Sequence, residues 1–340
     1  MRILYVFRSP GTGHSIEELF GSIRREMSQQ PGVQSDIIQL PHISRNWWSV
    51  WRNLRYLWGL KADVFHITGD VHYAALVLPV SRLVLTIHDC SLLKKNRHRP
   101  VRYVLFWLLW YYWPIRRARR VTVVSEKTRQ ELIQYVGPIA QKATVVANGY
   151  DPAFVYRSVT FRKDYPILFQ LGTASHKNLP RLLAAIEGIF CLLIIVGPLT
   201  DDTLQELINR RINYRHYTNL NRTEVIRLYE ACDIVTFVST YEGFGMPVLE
   251  ANAVGRVVIT SAIAPMNVLA AGAAHFVDPT NITAIRQGIL RLIQDDVYRQ
   301  QLLVAGQQNA QRYSAAHTAV QYATLYRELA EVIPLVDAII

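Results

Sequence analysis

Cysteine is scarce in this 340-residue sequence: only three occur, and none lies in a CxxC spacing. An odd number of cysteines, Cys90, Cys191 and Cys232, argues against a disulfide framework and against a structural zinc site. The sequence also opens on a charged strand, without the apolar region of a signal peptide. We therefore expect a protein that remains in a reducing, cytoplasmic compartment.

A dinucleotide-binding fingerprint is absent as well. The turn after the first predicted strand contains Gly11 and Gly13, but a GxGxxG pattern begun at Gly11 requires a third glycine where Ile16 stands. This mismatch disfavours a dehydrogenase.

Acidic residues are missing from one stretch, 94–120, which holds nine Lys and Arg and seven aromatic residues. Residues 1–155 carry 21 Lys and Arg against 10 Asp and Glu, a net charge of +11, whereas 156–340 carry 16 of each. All seven tryptophans lie between Trp47 and Trp113. The two halves of the chain therefore meet different partners.

The basic, aromatic part of the chain has two interpretations. Its uncharged centre, 103–115, has 13 residues, too few for the ~20 that cross a bilayer, so it either lies on an anionic membrane surface or is a core helix with solvated basic ends. A second such face contains Trp47, Trp48, Trp51 and Trp58. No nucleic-acid motif accompanies these residues, and we expect no nucleic-acid partner.

Short β-branched runs alternate with helical stretches along the whole chain, which is typical of parallel-sheet α/β domains covered on both faces. The length favours two domains. Turn residues at 148–152 interrupt the alternation, so we predict doubly wound domains at 1–155 and 156–340, the second including the helical tail. The carboxyl ends of their strands would face one cleft.

The segment 239–251 carries the strongest functional signal. Pro247 suits the start of a helix that follows a glycine-rich loop, which places Glu242 in the loop and Glu250 on the first helical turn. The glycines Gly243 and Gly245 allow close backbone approach, and a helix N-terminus attracts phosphate or sugar oxygens. Alternatively the glycines form an ordinary turn and Glu250 only complements the helix dipole.

Residues Glu242 to Ala251 resemble the EGFGxPxxEA signature of glycosyltransferase family 4, in which two glutamates are separated by seven residues. The stretch from Gly172 to Leu179 is similar to the family's Gly-Thr…Lys-Asn-Leu element, although His176 stands where an arginine commonly accompanies the lysine. The resemblance implies a GT-B fold and donor-binding roles for Gly172, Lys177, Gly243, Phe244, Gly245, Met246, Pro247 and Glu250.

Two features of the first half fit the same family. The strand that ends in His88 resembles the one that delivers a histidine to the reaction centre. The turn after the first strand resembles the family's acceptor-side loop, which here contains Gly11, Thr12, Gly13 and His14. With Glu242, His88 is thus implied to be catalytic.

We therefore predict a retaining transferase that moves a sugar from a UDP- or GDP-sugar to a hydroxyl of a glycan or lipid-linked acceptor, without a metal or other cofactor. The alternatives are a nucleotide-sugar epimerase, which would need no acceptor, and a non-catalytic membrane-associated binding protein, which would release no nucleotide.

Overall fold

The computed structural model describes residues 1–12 and 15–331, which form two compact units. The first comprises Met1–Gly149 together with the segment that begins at Ala315, and the second comprises Tyr150–Ser314. Each is built on a six-stranded parallel sheet, which confirms the predicted α/β class of two doubly wound domains.

The first unit has the strand order β2-β1-β3-β4-β5-β6, with every neighbouring pair parallel. The central strands are continuous apolar runs because helices cover both faces of the sheet. The strands are β1 (Arg2–Phe7), β2 (Gln34–Gln39), β3 (Val64–Ile67), β4 (Leu83–Ile87), β5 (Arg120–Val123) and β6 (Ala143–Val145).

Helices connect and cover these strands. They are α1 (Ser15–Ser28), α2 (Trp47–Leu57), α3 (Ser91–Asn96), α4 (Pro100–Phe106), α5 (Trp113–Arg117) and α6 (Glu126–Val136), with a π-helical segment at Trp107–Tyr112 between α4 and α5. Short 3₁₀ turns lie at His72–Leu76, Val80–Arg82 and Pro138–Lys142.

The second unit has the strand order β12-β11-β10-β7-β8-β9, again all parallel. Its strands are β7 (Ile167–Leu171), β8 (Leu192–Val196), β9 (Tyr214–Tyr217), β10 (Ile234–Phe237), β11 (Val257–Ser261) and β12 (His275–Val277). Its helices are α7 (Leu179–Ile186), α8 (Asp201–Asn209), α9 (Arg222–Ala231), α10 (Met246–Val254), α11 (Met266–Leu269), α12 (Ile282–Gln294) and α13 (Asp296–Gln311), and a 3₁₀ turn lies at Ser175–Lys177.

The last helix, α14 (Ala315–Glu331), corrects the predicted domain limits. The sequence predicts a boundary at 155/156 with the whole tail in the second domain, but the chain leaves the first unit after Gly149 and returns to it at Ala315. The buried stripe of α14, in which Ala319, Tyr322 and Tyr326 recur at helical spacing, packs against α1 and the first sheet. Periodicity showed an apolar face but not which sheet it covers.

A buried polar network fastens α14 to the first sheet. The imidazole of His66 shares hydrogen bonds of 2.6 Å with the Tyr326 hydroxyl at Nδ1 and with the Thr86 hydroxyl at Nε2. Thr86 in turn lies 3.1 Å from the hydroxyl of Tyr322. Burial lowers the pKa of His66 to about 3, so the ring is neutral near pH 7.

The aromatic segment 103–115 contributes to the core along one side, whereas Val104 and Trp113 are exposed. Trp110, Tyr111 and Ile115 are buried in the main cluster of the first unit. The π-helical turn lets Trp110 donate from Nε1 to the Asp70 carbonyl, and its own carbonyl accepts from Nδ1 of His72. No helix within residues 1–12 and 15–331 is long and apolar enough to cross a membrane.

Candidate active site

The second sheet changes direction between β7 and β10, because the chain winds one way from β7 to β9 and the other way from β10 to β12. In open parallel sheets such a switch point leaves a crevice at the carboxyl ends of the two central strands, where ligands bind. The loop after β7 carries Gly172 and Lys177, and the loop after β10 carries Glu242. Topology therefore brings together two motifs that are distant in sequence.

Lys177 and Glu242 form an ion pair, with Nζ 2.7 Å from Oε1. The lysine ammonium also lies 4.8 Å from the ring centroid of Phe237, the last residue of β10. Both charged side chains are mostly buried, at 18% and 14% exposed. A cation held in a low-dielectric crevice by an aromatic face and one carboxylate is placed to attract an anionic ligand.

Hydrogen bonds fix the two loops to each other. Asn178, which is buried and in the left-handed region at φ 62°, donates from Nδ2 to the carbonyls of Val238 and Pro279 at 2.9 and 2.7 Å. The Thr240 amide donates to the His176 carbonyl at 2.8 Å. The loop ends that carry Lys177 and Glu242 are thus held in register.

At two positions of the predicted donor site, sterics explain why the residue is glycine. A Cβ on Gly172 would lie 3.1 Å from Cε of Lys177, and its φ of +90° already favours glycine. Gly172 therefore makes room for the lysine stem. Gly245, at φ +120°, would place a Cβ 3.1 Å from Leu269 Cδ2.

Helix α10 begins one residue earlier than predicted, at Met246, so Pro247 is its second residue and Glu250 lies on its second turn. No described side chain caps this N-terminus. Its positive dipole end follows the Gly243–Gly245 loop directly and suits a phosphate. Phe244 is buried and packs near Tyr313, with ring centroids 6.3 Å apart, so its side chain supports the loop from within.

Glu250 is 3% exposed, and both of its oxygens have partners. The Arg222 guanidinium donates to Oε1 at 3.0 Å, and the Tyr229 hydroxyl donates to Oε2 at 2.7 Å. Burial and the adjacent carboxylate raise the pKa of Tyr229 well above its usual value, so it remains a hydrogen-bond donor. Arg222 also lies over the ring of Phe154, 4.5 Å from its centroid.

The first sheet has its own switch point, between β1 and β3. His88 follows β4 and is half-buried; its Nε2 donates to the Thr68 carbonyl at 2.8 Å, which leaves Nδ1 as the acceptor. Burial lowers the pKa of His88 although Asp70 opposes the shift, and the ring is neutral at pH 7.

The predicted acceptor-side loop is described in part. Gly11 has φ +80°, and the Thr12 hydroxyl donates to the Ser9 carbonyl at 2.7 Å. The predicted Gly13 and His14 lie outside the described residues. Before the loop, Arg8 donates to both carboxylate oxygens of Glu17 at 2.8 and 2.6 Å.

Sequence reasoning missed the residues that support this site. Arg222 and Tyr229 lie seven residues apart on α9, the spacing of one helical face, but nothing in the sequence links that face to Glu250. Phe237 ends a strand that reads as ordinary core. Such partners can be identified only when the order of the strands in the sheet is known.

Both halves of the chain match models of known glycosyltransferase families. Residues 155–311 match the family model "Glycosyl transferases group 1", and residues 6–154 match "Glycosyltransferase Family 4". The O-antigen chain mannosyltransferase B of Escherichia coli is 25% identical over 298 residues, which is 81% of this chain and 77% of that protein.

Two solved structures are similar in fold. Anabaena HepE in complex with UDP and glucose aligns at a TM-score of 0.76 and 17% identity, over 96% of this chain and all of that one. Sucrose-phosphate synthase from Thermosynechococcus elongatus aligns at a TM-score of 0.78 and 17% identity, over 98% and 100%. The two sheets, the crevice motifs and both family matches lead to one conclusion: this chain belongs to the group 1 and family 4 glycosyltransferases and is an enzyme of the GT-B type.

Proposed function

We propose that this glycosyltransferase uses a UDP- or GDP-sugar and transfers the sugar, with retention of its anomeric configuration, to a hydroxyl of a glycan or lipid-linked acceptor. The observation that carries the proposal is the Lys177–Glu242 pair at 2.7 Å, in the switch-point crevice beside the N-terminus of α10. A similar fold binds UDP and glucose in HepE, which supports a nucleotide-sugar donor.

The donor's three parts correspond to three groups of the second unit. Lys177 and the first turn of α10 bind the diphosphate through charge-assisted contacts. Glu250 binds the ribose hydroxyls, since each oxygen has a second lone pair beside the one that Arg222 or Tyr229 uses. Glu242 binds hydroxyls of the transferred sugar.

In the proposed reaction the bond between the sugar's anomeric carbon and the diphosphate oxygen breaks while a bond to the acceptor oxygen forms. The acceptor's proton leaves with the diphosphate. Negative charge grows on that leaving group in an oxocarbenium-like transition state. Groups that stabilise the phosphate charge, such as cations and hydrogen-bond donors, therefore matter more than a protein nucleophile. Lys177 and the helix dipole supply that stabilisation in this proposal, with no metal requirement.

The first unit supplies the acceptor-side groups in this proposal. Nδ1 of His88 is free of the bond to Thr68 and accepts a hydrogen bond from a sugar hydroxyl, and the loop from Gly11 to His14 contacts the acceptor. The E. coli relative is named as an O-antigen chain mannosyltransferase, which favours a glycan acceptor.

The test is a binding screen of UDP- and GDP-sugars, followed by transfer assays with the sugars that bind. We expect nucleotide release that depends on acceptor, and a product whose anomeric configuration matches the donor by NMR. Donor conversion without acceptor would indicate an epimerase instead. Binding without turnover across a broad acceptor panel would favour a non-catalytic binding protein, and an inverted product would refute retention.

A further inference from the structure

Helix α2 and the residue that follows it present an exposed aromatic face. Trp47, Trp48, Trp51 and Trp58 are between 51% and 74% exposed, and Tyr56 between them is 49% exposed. Exposed indoles in such number on one short helix are unusual, since large aromatic side chains normally bury most of their surface.

The opposite face of α2 accounts for the stability of the helix. Asn46 caps it by accepting from the Ser49 amide, and Val50, Asn53 and Leu57 are buried at helical spacing. Asn53 is completely buried and donates from Nδ2 to the Tyr73 hydroxyl at 2.8 Å. The outward Trp48 and Trp51 are therefore not needed to hold the helix in place.

The charge around this face has one sign. No acidic residue occurs between Asp36 and Asp63, whereas Arg45, Arg52 and Arg55 flank the tryptophans. The Arg55 guanidinium lies 5.7 Å from the ring centroid of Trp51. Indoles interspersed with exposed guanidinium groups suit the headgroup region of an anionic bilayer, where rings enter the acyl boundary and cations remain with phosphate.

A small cavity of about 140 Å³ lies at the start of the same helix. Trp47, Leu105, Phe106 and Trp110 supply apolar walls, and Arg45 and Arg102 add guanidinium groups to its lining. Apolar walls combined with two cations match the chemistry of an anionic amphiphile better than that of a free ion.

We propose that helix α2, with the preceding Arg45 and Asn46 and the following Trp58, is the surface by which this enzyme docks on an anionic lipid bilayer. A second copy of the chain is a poorer occupant, because pairing two such faces would bring like charges together. The predicted alternative, segment 94–120, is a poorer surface, because Trp110 and Tyr111 of its aromatic centre are buried in the core and Arg117 donates to two backbone carbonyls.

The docking face is continuous with the acceptor side of the first unit. Asn53 donates to the His42 carbonyl at 2.7 Å and accepts from the His42 amide at 3.1 Å. The Ser9 hydroxyl, just before the acceptor-side loop, donates to that same carbonyl at 2.5 Å. A lipid-linked acceptor held in the bilayer would thus be presented next to the loop; this step rests on the proposed function, whereas docking does not.

The experiment is co-sedimentation of the full chain with vesicles of phosphatidylcholine alone or mixed equally with phosphatidylglycerol, at low and high salt. Arg52→Ser/Arg55→Ser should weaken partitioning onto anionic vesicles roughly thirtyfold, about fivefold per cation. Trp48→Ser/Trp51→Ser should remove the binding that persists at high salt, together with the blue shift of tryptophan emission.

Matched variants control for charge and for exposed apolar area. Arg116→Ser/Arg119→Ser removes the same charge from segment 94–120, and Phe190→Ser/Ile208→Ser removes exposed apolar side chains from the second unit; both should partition like wild type. Circular dichroism checks the fold, and nucleotide binding by each variant separates failed docking from a failed donor site.

Several results would overturn the proposal. These are equal binding to neutral and anionic vesicles, no binding at all, or loss in the Arg116/Arg119 variant with none in the α2 variants. Dimerisation that Trp48→Ser/Trp51→Ser abolishes would identify a second copy as the occupant. Tighter binding to single-stranded nucleic acid than to anionic vesicles at the same salt concentration would assign the face to that class instead.

Discussion

Lys177 and Glu242 lie 65 residues apart in sequence, yet Nζ donates to Oε1 at 2.7 Å. The two residues meet because the loops after β7 and β10, the two central strands of the second sheet, lie at the same crevice. The pair joins the residue proposed to bind phosphate to the one proposed to bind sugar. A donor diphosphate would draw the ammonium away from the carboxylate and leave the latter for sugar hydroxyls.

Lys177→Ala should weaken nucleotide-sugar and nucleoside diphosphate binding about ten- to hundredfold, since a charge-assisted contact is worth roughly 1.5–3 kcal/mol. The free nucleoside should bind as it does to wild type. Calorimetric titration of both ligands checks the difference. Lys163→Ala is the control, because that lysine forms only an exposed ion pair with Asp296. Equal diphosphate affinity in both variants would show that Lys177 is not a ligand.

Glu242→Gln should lower kcat about ten- to hundredfold and leave nucleotide affinity close to wild type, because this carboxylate acts on the transferred sugar. Steady-state kinetics and nucleotide titration together give the split. Glu187→Gln, which changes an exposed carboxylate paired with Arg210, should behave as wild type. A loss confined to nucleotide affinity would contradict the assignment.

Glu250→Gln should abolish discrimination between a ribonucleotide and its 2′,3′-dideoxy analogue. Wild type should prefer the ribonucleotide about tenfold or more, as expected for hydrogen bonds to a charged group. The four dissociation constants form a cycle that separates ribose contact from general damage. Tyr229→Phe, which removes only the donor to Oε2, should retain part of the preference. An undiminished preference in Glu250→Gln would exclude the ribose role.

Tyr326→Phe should destabilise the first unit by about 1–3 kcal/mol, because it leaves Nδ1 of the buried His66 without its partner. Urea denaturation measures the change. The matched control is Tyr56→Phe, whose side chain is half exposed, and this variant should unfold as wild type does. Equal stability of the two variants would mean that α14 does not depend on the network.

Acid should destabilise the protein before its carboxylates are protonated. His66 has a native pKa of about 3, below its unfolded value near 6.5, so the unfolded chain binds more protons between those limits. The contribution of His66 to the free energy of unfolding is complete above pH 6.5 and falls by about 1.4 kcal/mol for each pH unit below that value. Unfolding free energies from pH 7.5 to 4.5 test this, and His66→Gln should show a shallower slope; an identical slope would assign the effect to other groups.

Local signals in the sequence were sufficient for the elements of the fold. The β-branched runs that predicted the α/β class include the central strands of both sheets, such as β4 and β8, because parallel strands buried on both faces read as short, continuous apolar segments. Helix α10 begins within one residue of the prediction, since a proline in the first turn after a glycine loop restricts the backbone strongly. The family's glutamate pair and lysine could be identified for the same reason, as motifs of fixed local spacing.

Tertiary structure alone decided which of these elements meet. Strand order is set by long-range packing, and it pairs Lys177 with Glu242 and Arg222 with Glu250. Long-range packing also places α14 on the first sheet. The sequence could not predict this, because a stripe of tyrosine and alanine could pack against either sheet. The tryptophans illustrate the same difference between sequence and structure. The sequence shows that all of them lie in one half of the chain, but only packing determines that Trp110 is buried and that those of α2 are exposed.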